Sequence, residues 1–279
     1  AVRGSARFER DASVVAGRGA CAHLYRQRVA AAYGEGRCRI RGTGKALWPE
    51  QCGGAAHPLA EHGDPGARGV GRFSDAAISG QVDGTRARRS PGSTLKPFIY
   101  GMALDQGLIH PQTLLPDSPR SFGGYDPENF DRVFRGPLPA HEALRASRNL
   151  PAILLASQLR PGFYGFLLRA GVDLPFSADH YGLSLVLGGA EVSMRELGGL
   201  YAMLANKGEA AGSAVPLLSP EAAVVTLRML EDDAHFVRSK EGPVPLRFKT
   251  GTSNGFRDAW TAGVVGPYVL VVWVGNFDN

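Results

Sequence analysis

The sequence predicts an α+β domain in which an antiparallel sheet is covered by helices. The middle of the chain has four segments whose apolar residues recur at helical spacing: PAILLASQL, FYGFLLRAG, SMRELGGLYAMLANKG and SPEAAVVTLRMLEDD. The C-terminal end has three short segments rich in valine and aromatic residues, separated by turn signals: PLRFKTGTS, DAWTAGVVG and YVLVVWVGN. Helices followed by a three-stranded meander are typical of an α+β domain.

Composition excludes several functional classes. The chain has 279 residues, 44% of them hydrophobic, and can bury a sizeable core. Its net charge is +5, but 26 of the 31 basic residues are scattered arginines, so we predict no nucleic-acid partner. Cys21, Cys38 and Cys52 match neither a zinc-ligand spacing nor an even disulfide framework. No signal peptide and no apolar run of about 18 residues is recognisable, so neither a targeting signal nor a membrane anchor is expected.

Residues 1–72 differ from the rest of the sequence. They contain thirteen glycines and eleven arginines and follow no sustained period of a helix or a strand. The pattern becomes orderly from Phe73 onward. We therefore divide the chain into an irregular Arg/Gly-rich segment of unassigned origin, residues 1–72, and one domain, residues 73–279.

The first candidate motif is Ser93-Thr94-Leu95-Lys96, in RSPGSTLKPFIYGMALDQG. This stretch predicts a turn that leads into a helix, with Pro97 in the first helical turn and Gly107 after the last. Three-residue spacing on a helix places the serine hydroxyl and the lysine amine on one face. A lysine amine with a lowered pKa can activate a serine nucleophile, although the motif alone also fits an ordinary helix start.

The second motif is Ser147-Arg148-Asn149, just past a short helix predicted at about Ala140–Ala146. Ser147 can relay a proton to a leaving amine, and Asn149 can hydrogen-bond a substrate amide or Lys96. By itself, this pattern is more often a helix cap.

The third motif is Lys249-Thr250-Gly251-Thr252, at the end of a predicted strand. Lys249 and the threonine hydroxyls can bind a substrate carboxylate, and Lys249 can tune the Lys96 amine. Gly251 lets a substrate backbone lie close to the strand. The backbone N–H of Thr252 can pair with that of Ser93 as an oxyanion hole. Alone, the motif also fits a strand end with a solvated lysine.

The three motifs occur in the order S-x-x-K, S-x-N, K-T-G, and in this order the chain resembles the serine penicillin-recognising enzymes. Within them it is most similar to the transpeptidase domain of bifunctional class A penicillin-binding proteins, and QVDG before RSPGSTLKP resembles the penicillin-binding protein 1C branch. The likeness continues through YDPENF, ALRASRNLPA, LGGAEVSMRELGGLYAMLANKG and FKTGTSNGFRDAWTAGVVG. The resemblance covers about residues 73–279 and implies the penicillin-binding transpeptidase/β-lactamase-like fold.

The resemblance implies that the chain is a serine-type D-Ala-D-Ala transpeptidase that cross-links peptidoglycan stem peptides. Its site residues would then be the nucleophile Ser93, the base Lys96, the proton relay Ser147 and the cation Lys249, with substrate contacts from Asn149, Thr250, Gly251 and Thr252. β-Lactams would acylate the same serine. No metal or organic cofactor is implied, and the domain would work on the periplasmic face of the bacterial inner membrane. Asp258 and Trp260 are interpreted as residues that fix their strand.

Two departures from the family lead to further expectations. A full-length class A enzyme has a membrane helix and a glycosyltransferase domain, neither of which is recognisable, so the chain is expected to be a fragment attached to the membrane only through other parts. The family also places two strands before the S-x-x-K helix, and residues 1–72 contain no convincing pair. The sheet is therefore expected to be incomplete at its N-terminal strands.

Two alternatives remain open at this point. One is a serine hydrolase of the same fold, either a DD-carboxypeptidase or a β-lactamase. The absence of a Glu-x-x-x-Asn stretch between Ser147 and Lys249 disfavours the β-lactamase. The other is an inactive fragment or a penicillin-sensing module.

Overall fold

The computed structural model describes residues 52–58, 82–239 and 242–275. The expectations for residues 1–51 and 59–81, including the proposed boundary at 72, therefore lie outside the described residues. No helix in the described part is both long and apolar enough to cross a membrane.

The centre of the fold is a five-stranded antiparallel sheet with the strand order β1-β7-β6-β5-β4. Its strands are β1 (Cys52–Pro58), β4 (Glu231–Ser239), β5 (Gly242–Thr252), β6 (Asp258–Val265) and β7 (Tyr268–Gly275). A separate two-stranded ribbon consists of β2 (Leu114–Leu115) and β3 (Leu138–Pro139). Strands β5, β6 and β7 confirm the predicted meander.

Two strands of the sheet were not predicted. Strand β1 lies within the segment interpreted as irregular and pairs with β7, so one strand does reach the sheet from before the S-x-x-K helix. Its sequence CGGAAHP has no β-branched or aromatic residue, which removes the usual strand signal. Strand β4 occupies Glu231–Ser239, and the end of the predicted helix over SPEAAVVTLRMLEDD was therefore wrong. The helix ends at Met229, and the chain then pairs with β5.

The helices confirm the predicted helical middle of the chain. They are α1 (Lys96–Asp105), α2 (Ala140–Arg145), α3 (Asn149–Gln158), α4 (Phe163–Arg169), α5 (Ala178–Tyr181), α6 (Met194–Ala205) and α7 (Pro220–Met229). Short 3-10 segments occupy Gly92–Leu95, Gly182–Leu187 and Asn254–Phe256. Pro97 lies in the first turn of α1 and Gly107 follows its end with φ 67°, as expected.

Helix α1 is the central element of the core. Its side chains from Lys96 to Ala103 are all buried, including Phe98 and Ile99, and it packs against α3 and α7. Helix α6 covers β6 and β7, where Trp260 and Trp273 are buried. A helix that is apolar on all sides is stable only inside such a core. This burial fixes the N-terminal end of α1 beside the end of β5.

Candidate active site

The turn that carries Ser93 is held by hydrogen bonds from several directions. Within the turn, the Thr94 hydroxyl donates to the Pro91 carbonyl over 2.9 Å. From α6, the Tyr201 hydroxyl donates to the Thr94 carbonyl over 3.0 Å. From β6, the Trp260 indole donates to the Ser90 carbonyl over 2.8 Å. Trp260 therefore fixes the backbone that leads into Ser93, in addition to its own strand.

Two glycines allow β5 to approach this turn closely. A Cβ added to Gly251 would lie 2.2 Å from the Pro91 carbonyl oxygen, and one added to Gly92 would lie 2.5 Å from the Thr252 carbonyl oxygen. Gly92 also has φ 53°, a conformation that glycine adopts at little cost. The space on the Cβ side of Gly251 is therefore filled by the Ser93 turn. The role of Gly251 in letting a substrate backbone lie close to the strand stays a prediction.

The Lys96 amine is fully buried and has well-defined acceptors. Its Nζ donates to the Ser147 carbonyl oxygen and to Asn149 Oδ1, both at 2.6 Å, and lies 3.4 Å from Ser147 Oγ. The predicted meeting of the S-x-x-K and S-x-N motifs is thus present. In the part of the chain that the structure describes, the Ser93 hydroxyl has no hydrogen-bond partner. The hydrogen bond between a catalytic hydroxyl and its base often forms or shortens only when substrate binds.

Burial lowers the pKa of the Lys96 amine well below its usual range. The positive charges of Lys249 and Arg148 lower this pKa further, against an opposing effect of Asp117. A neutral amine has two hydrogens and one lone pair. Because the two close acceptors take the hydrogens, the lone pair is left to accept a proton from a serine hydroxyl.

Ser147 occupies a strained position at the end of α2. Its φ is 60°, in the left-handed region, where a residue other than glycine costs about 1–3 kcal/mol. The Ser147 N–H bonds to the Leu144 carbonyl and the Arg148 N–H to the Ala143 carbonyl, the two bonds of a Schellman motif. This helix ending directs the Ser147 carbonyl and hydroxyl towards Lys96.

Asn149 begins α3 and joins Lys96 to the YDPENF loop. Its Oδ1 accepts from Lys96, and its Nδ2 donates to the Glu128 carbonyl over 2.6 Å. Its backbone N–H donates to Asn129 Oδ1 over 2.8 Å. The sequence alone did not assign a role to Asn129, which is buried and supports the start of α3.

The K-T-G motif lies at the end of β5, beside the Ser93 turn. Lys249 is buried, and its amine donates to the Thr250 carbonyl over 2.8 Å. Thr250 and Thr252 are partly exposed. After the strand, Asp258 accepts a hydrogen bond from the Trp273 indole at 2.9 Å, which confirms that it fixes the strand. The three motifs therefore converge around Ser93.

Comparison with known proteins shows which proteins the sequence resembles. Residues 79–211 match the penicillin binding protein transpeptidase domain. The chain is 40% identical to penicillin-binding protein 1C of Escherichia coli over 238 residues, which is 79% of this chain and 31% of that protein. It is 28% identical to penicillin-binding protein 1F of Bacillus subtilis over 72% of this chain and 33% of that protein. The chain therefore spans about a third of the length of these curated relatives.

Solved structures share the fold. The PonA1 protein of Mycobacterium tuberculosis in complex with penicillin V superposes with a TM-score of 0.66 at 19% identity, covering 91% of this chain and 74% of that chain. Penicillin-binding protein 1A of Haemophilus influenzae also gives 0.66, at 21% identity, over 84% of this chain and 44% of that chain. The predicted fold and the predicted resemblance to the 1C branch are confirmed. Residues 79–211 of this chain are therefore identified as part of a penicillin binding protein transpeptidase domain, and the chain is related to penicillin-binding protein 1C.

Proposed function

We propose that residues 73–279 form a peptidoglycan DD-transpeptidase domain in which Ser93 becomes acylated by a stem peptide. The observation that carries the proposal is the buried Lys96 amine, one helical turn from Ser93 and held by Ser147 and Asn149. A serine hydroxyl is a weak nucleophile and needs an adjacent base, and the Lys96 amine can be that base. The relationship to penicillin-binding proteins supports the same chemistry.

The acylation step uses the groups that converge at the turn. Ser93 Oγ attacks the carbonyl carbon of the penultimate D-Ala, and its proton passes to the Lys96 lone pair. The carbon–nitrogen bond to the terminal D-Ala then breaks, and Ser147 relays the proton from the Lys96 ammonium to the leaving amine, which leaves Lys96 neutral again. An amine of a neighbouring stem peptide attacks the resulting ester, and its proton returns to Ser93 through Lys96. This completes the cross-link and regenerates the free serine.

The remaining motif residues bind the donor peptide in this proposal. The backbone N–H groups of Ser93 and Thr252 stabilise the oxyanion, in agreement with the close approach of Gly92 to Thr252. Lys249 and Thr250 attract the terminal carboxylate. Asn149 holds Lys96, and the second hydrogen of its Nδ2 is directed to a substrate carbonyl.

The setting of the reaction is also part of the proposal. The domain acts on the periplasmic face of the inner membrane, where D-Ala-D-Ala donors and amine acceptors are present, and β-lactams acylate Ser93 in place of the donor. The PonA1 structure with penicillin V supports the last point, since its fold is the same.

The test is a labelled penicillin. We expect intact mass spectrometry to show one penicilloyl adduct, and peptide mapping to place it on Ser93. Heat-denatured chain, and chain saturated first with unlabelled penicillin, are the controls and should take up no label. A folded, soluble chain that forms no adduct would contradict the proposal.

The lifetime of the adduct separates the two enzyme alternatives. An adduct that persists for hours excludes a β-lactamase. A D-Ala-D-Ala donor supplied with an amine acceptor then distinguishes transfer from hydrolysis, because only a transpeptidase yields the aminolysis product in excess. Hydrolysis alone would identify a DD-carboxypeptidase.

The acylation rate should depend on pH in a direction set by Lys96. A protonated amine has no lone pair, so acylation is slow below the pKa of Lys96 and rises as the pH passes through it. Because burial lowers this pKa, we expect the rise well below pH ~10.4, the ordinary value for lysine. Stopped-flow acylation between pH 5 and pH 10 measures it. A rise centred on the ordinary lysine value would contradict Lys96 as the base.

A further inference from the structure

The side chain of Arg148, the middle residue of the S-x-N motif, lies in a buried charge cluster. Its side chain is 3% exposed. Its Nε donates to Asp117 Oδ2 over 2.8 Å, and its Nη1 donates to Asp131 Oδ2 over 2.8 Å. Its Nη2 donates to the Val133 carbonyl. The planar guanidinium thus fixes the backbone between Ser147 and Asn149 from three directions.

Asp117 is the centre of the cluster. Its carboxylate is fully buried and also accepts from the Arg135 backbone N–H at 3.0 Å and from Asn129 Nδ2 at 2.7 Å. Its own backbone exchanges two hydrogen bonds with Gly136, of 3.1 and 3.0 Å. A carboxylate with this many partners has a fixed position and can serve as a rigid support.

Two chains of contacts lead from Asp117 to the acceptors of the Lys96 amine. One runs through Arg148, which is the residue between the two acceptors. The other runs through Asn129, whose Oδ1 accepts the Asn149 backbone N–H at 2.8 Å. Both acceptors that hold Lys96 at 2.6 Å therefore depend on the same carboxylate.

We propose that Asp117, Arg148 and Asn129 form a positioning unit that holds Ser147 and Asn149 in the geometry in which they receive the Lys96 amine. The inference rests on the proposed function, because it assigns the unit to the acylation of Ser93. These three residues touch no reacting atom. They act through the Ser147–Asn149 backbone.

The unit also affects the charge around Lys96. The charged groups that act on this amine are Lys249 on β5, Arg148 after α2 and Asp117 after β2. Arg148 lowers the pKa of Lys96 and Asp117 raises it. Removing the guanidinium charge should therefore raise the pKa of the amine, whereas replacing it by another cation should not.

Two substitutions of Arg148 separate geometry from charge. Arg148→Lys keeps the positive charge but loses the planar fork, so we expect penicillin acylation to slow at least tenfold with an unchanged pH midpoint. Arg148→Met loses both, so we expect a similar or larger loss and a midpoint shifted to higher pH. The rates are measured by stopped flow on folded protein, quantified by circular dichroism, and melting temperatures are recorded alongside.

Arg88→Lys is the matched control. Arg88 likewise donates to a carboxylate, Glu196, at 3.1 Å, and to the Glu191 carbonyl at 2.6 Å, and none of its hydrogen bonds or ion pairs within the described residues reaches the three motifs. The Arg88→Lys substitution should lower the melting temperature and leave the acylation rate and its pH midpoint unchanged.

The outcomes are distinct. Arg148→Lys that acylates at the wild-type rate would overturn the positioning role, even if Arg148→Met does not fold. An equal slowing in Arg88→Lys would also overturn it, since any lost ion pair would then suffice. A wild-type chain that forms no penicilloyl adduct would contradict the proposed function itself. The lack of acylation in an Arg148 variant would then say nothing specific about Arg148.

Discussion

Replacing Lys96 with arginine is expected to slow penicillin acylation of Ser93 by roughly 10²–10⁴-fold, the usual contribution of a general base. Arginine keeps a positive charge and can reach similar acceptors, but it does not lose its proton in proteins. Lys96 donates to the Ser147 carbonyl and to Asn149 Oδ1, and its lowered pKa makes the neutral form accessible. The substitution therefore replaces an amine that can present a lone pair by a group that stays protonated.

The measurement is the second-order acylation rate of labelled penicillin, with Ser93→Ala as the zero-rate reference. Lys207→Arg makes the same chemical change at an exposed position after α6 and should acylate at the wild-type rate. A Lys96→Arg chain that is folded and acylates normally would show that another group takes the Ser93 proton.

Gly251→Ala is expected to slow acylation by about a hundredfold, because small misplacements of reacting groups have effects of this size. The added methyl would lie 2.2 Å from the Pro91 carbonyl oxygen and 2.8 Å from Thr94 Cγ2. The Pro91 oxygen is backbone and the buried Thr94 side chain is β-branched and stiff, so β5 and the Ser93 turn must separate. Overpacking of this kind costs about 1–3 kcal/mol.

Thermal unfolding and the acylation rate test this prediction together. We expect a melting temperature lower by several degrees, on the order of 2–4 °C per kcal/mol for a domain of this size. Gly199→Ala is the control, since no atom lies within 4 Å of an added Cβ in the exposed face of α6. It should leave acylation unchanged and stabilise the helix by roughly 0.5–1 kcal/mol. Normal acylation in Gly251→Ala would mean that the turn tolerates the displacement.

The helices and the meander could be predicted because their signals are local. Helix α6, for example, combines helical spacing with a capping box between Ser193 and Glu196. Buried residues alternate with less buried ones along most of β7 and in the first half of β6. Strands β1 and β4 lie at the two edges of the sheet and had no such signal, because their place depends on backbone pairing with neighbours already present.

In the candidate site, too, the sequence predicted the groups that are linked by local spacing or by the motif order, but not the contacts between distant segments. Ser93 and Lys96 are one turn apart, so their shared face follows from helix geometry, and the family motif order predicted that Ser147, Asn149 and Lys249 would join them. Nothing local connects Asp117 to Arg148, which are 31 positions apart in sequence. Their pairing depends on how the loop before α2 folds over the start of α3.

The amino-acid sequence by itself determined the α+β class, the three motifs and the relationship to penicillin-binding transpeptidases, because these depend on residue types at fixed spacing. Only the tertiary structure decided that Gly251 makes room for the Ser93 turn, that the Lys96 amine hydrogen-bonds to Ser147 and Asn149, and that Asp117 accepts from Arg148 and Asn129. The physical reason is that burial and the choice of hydrogen-bond partner are set by the packing of segments distant in sequence.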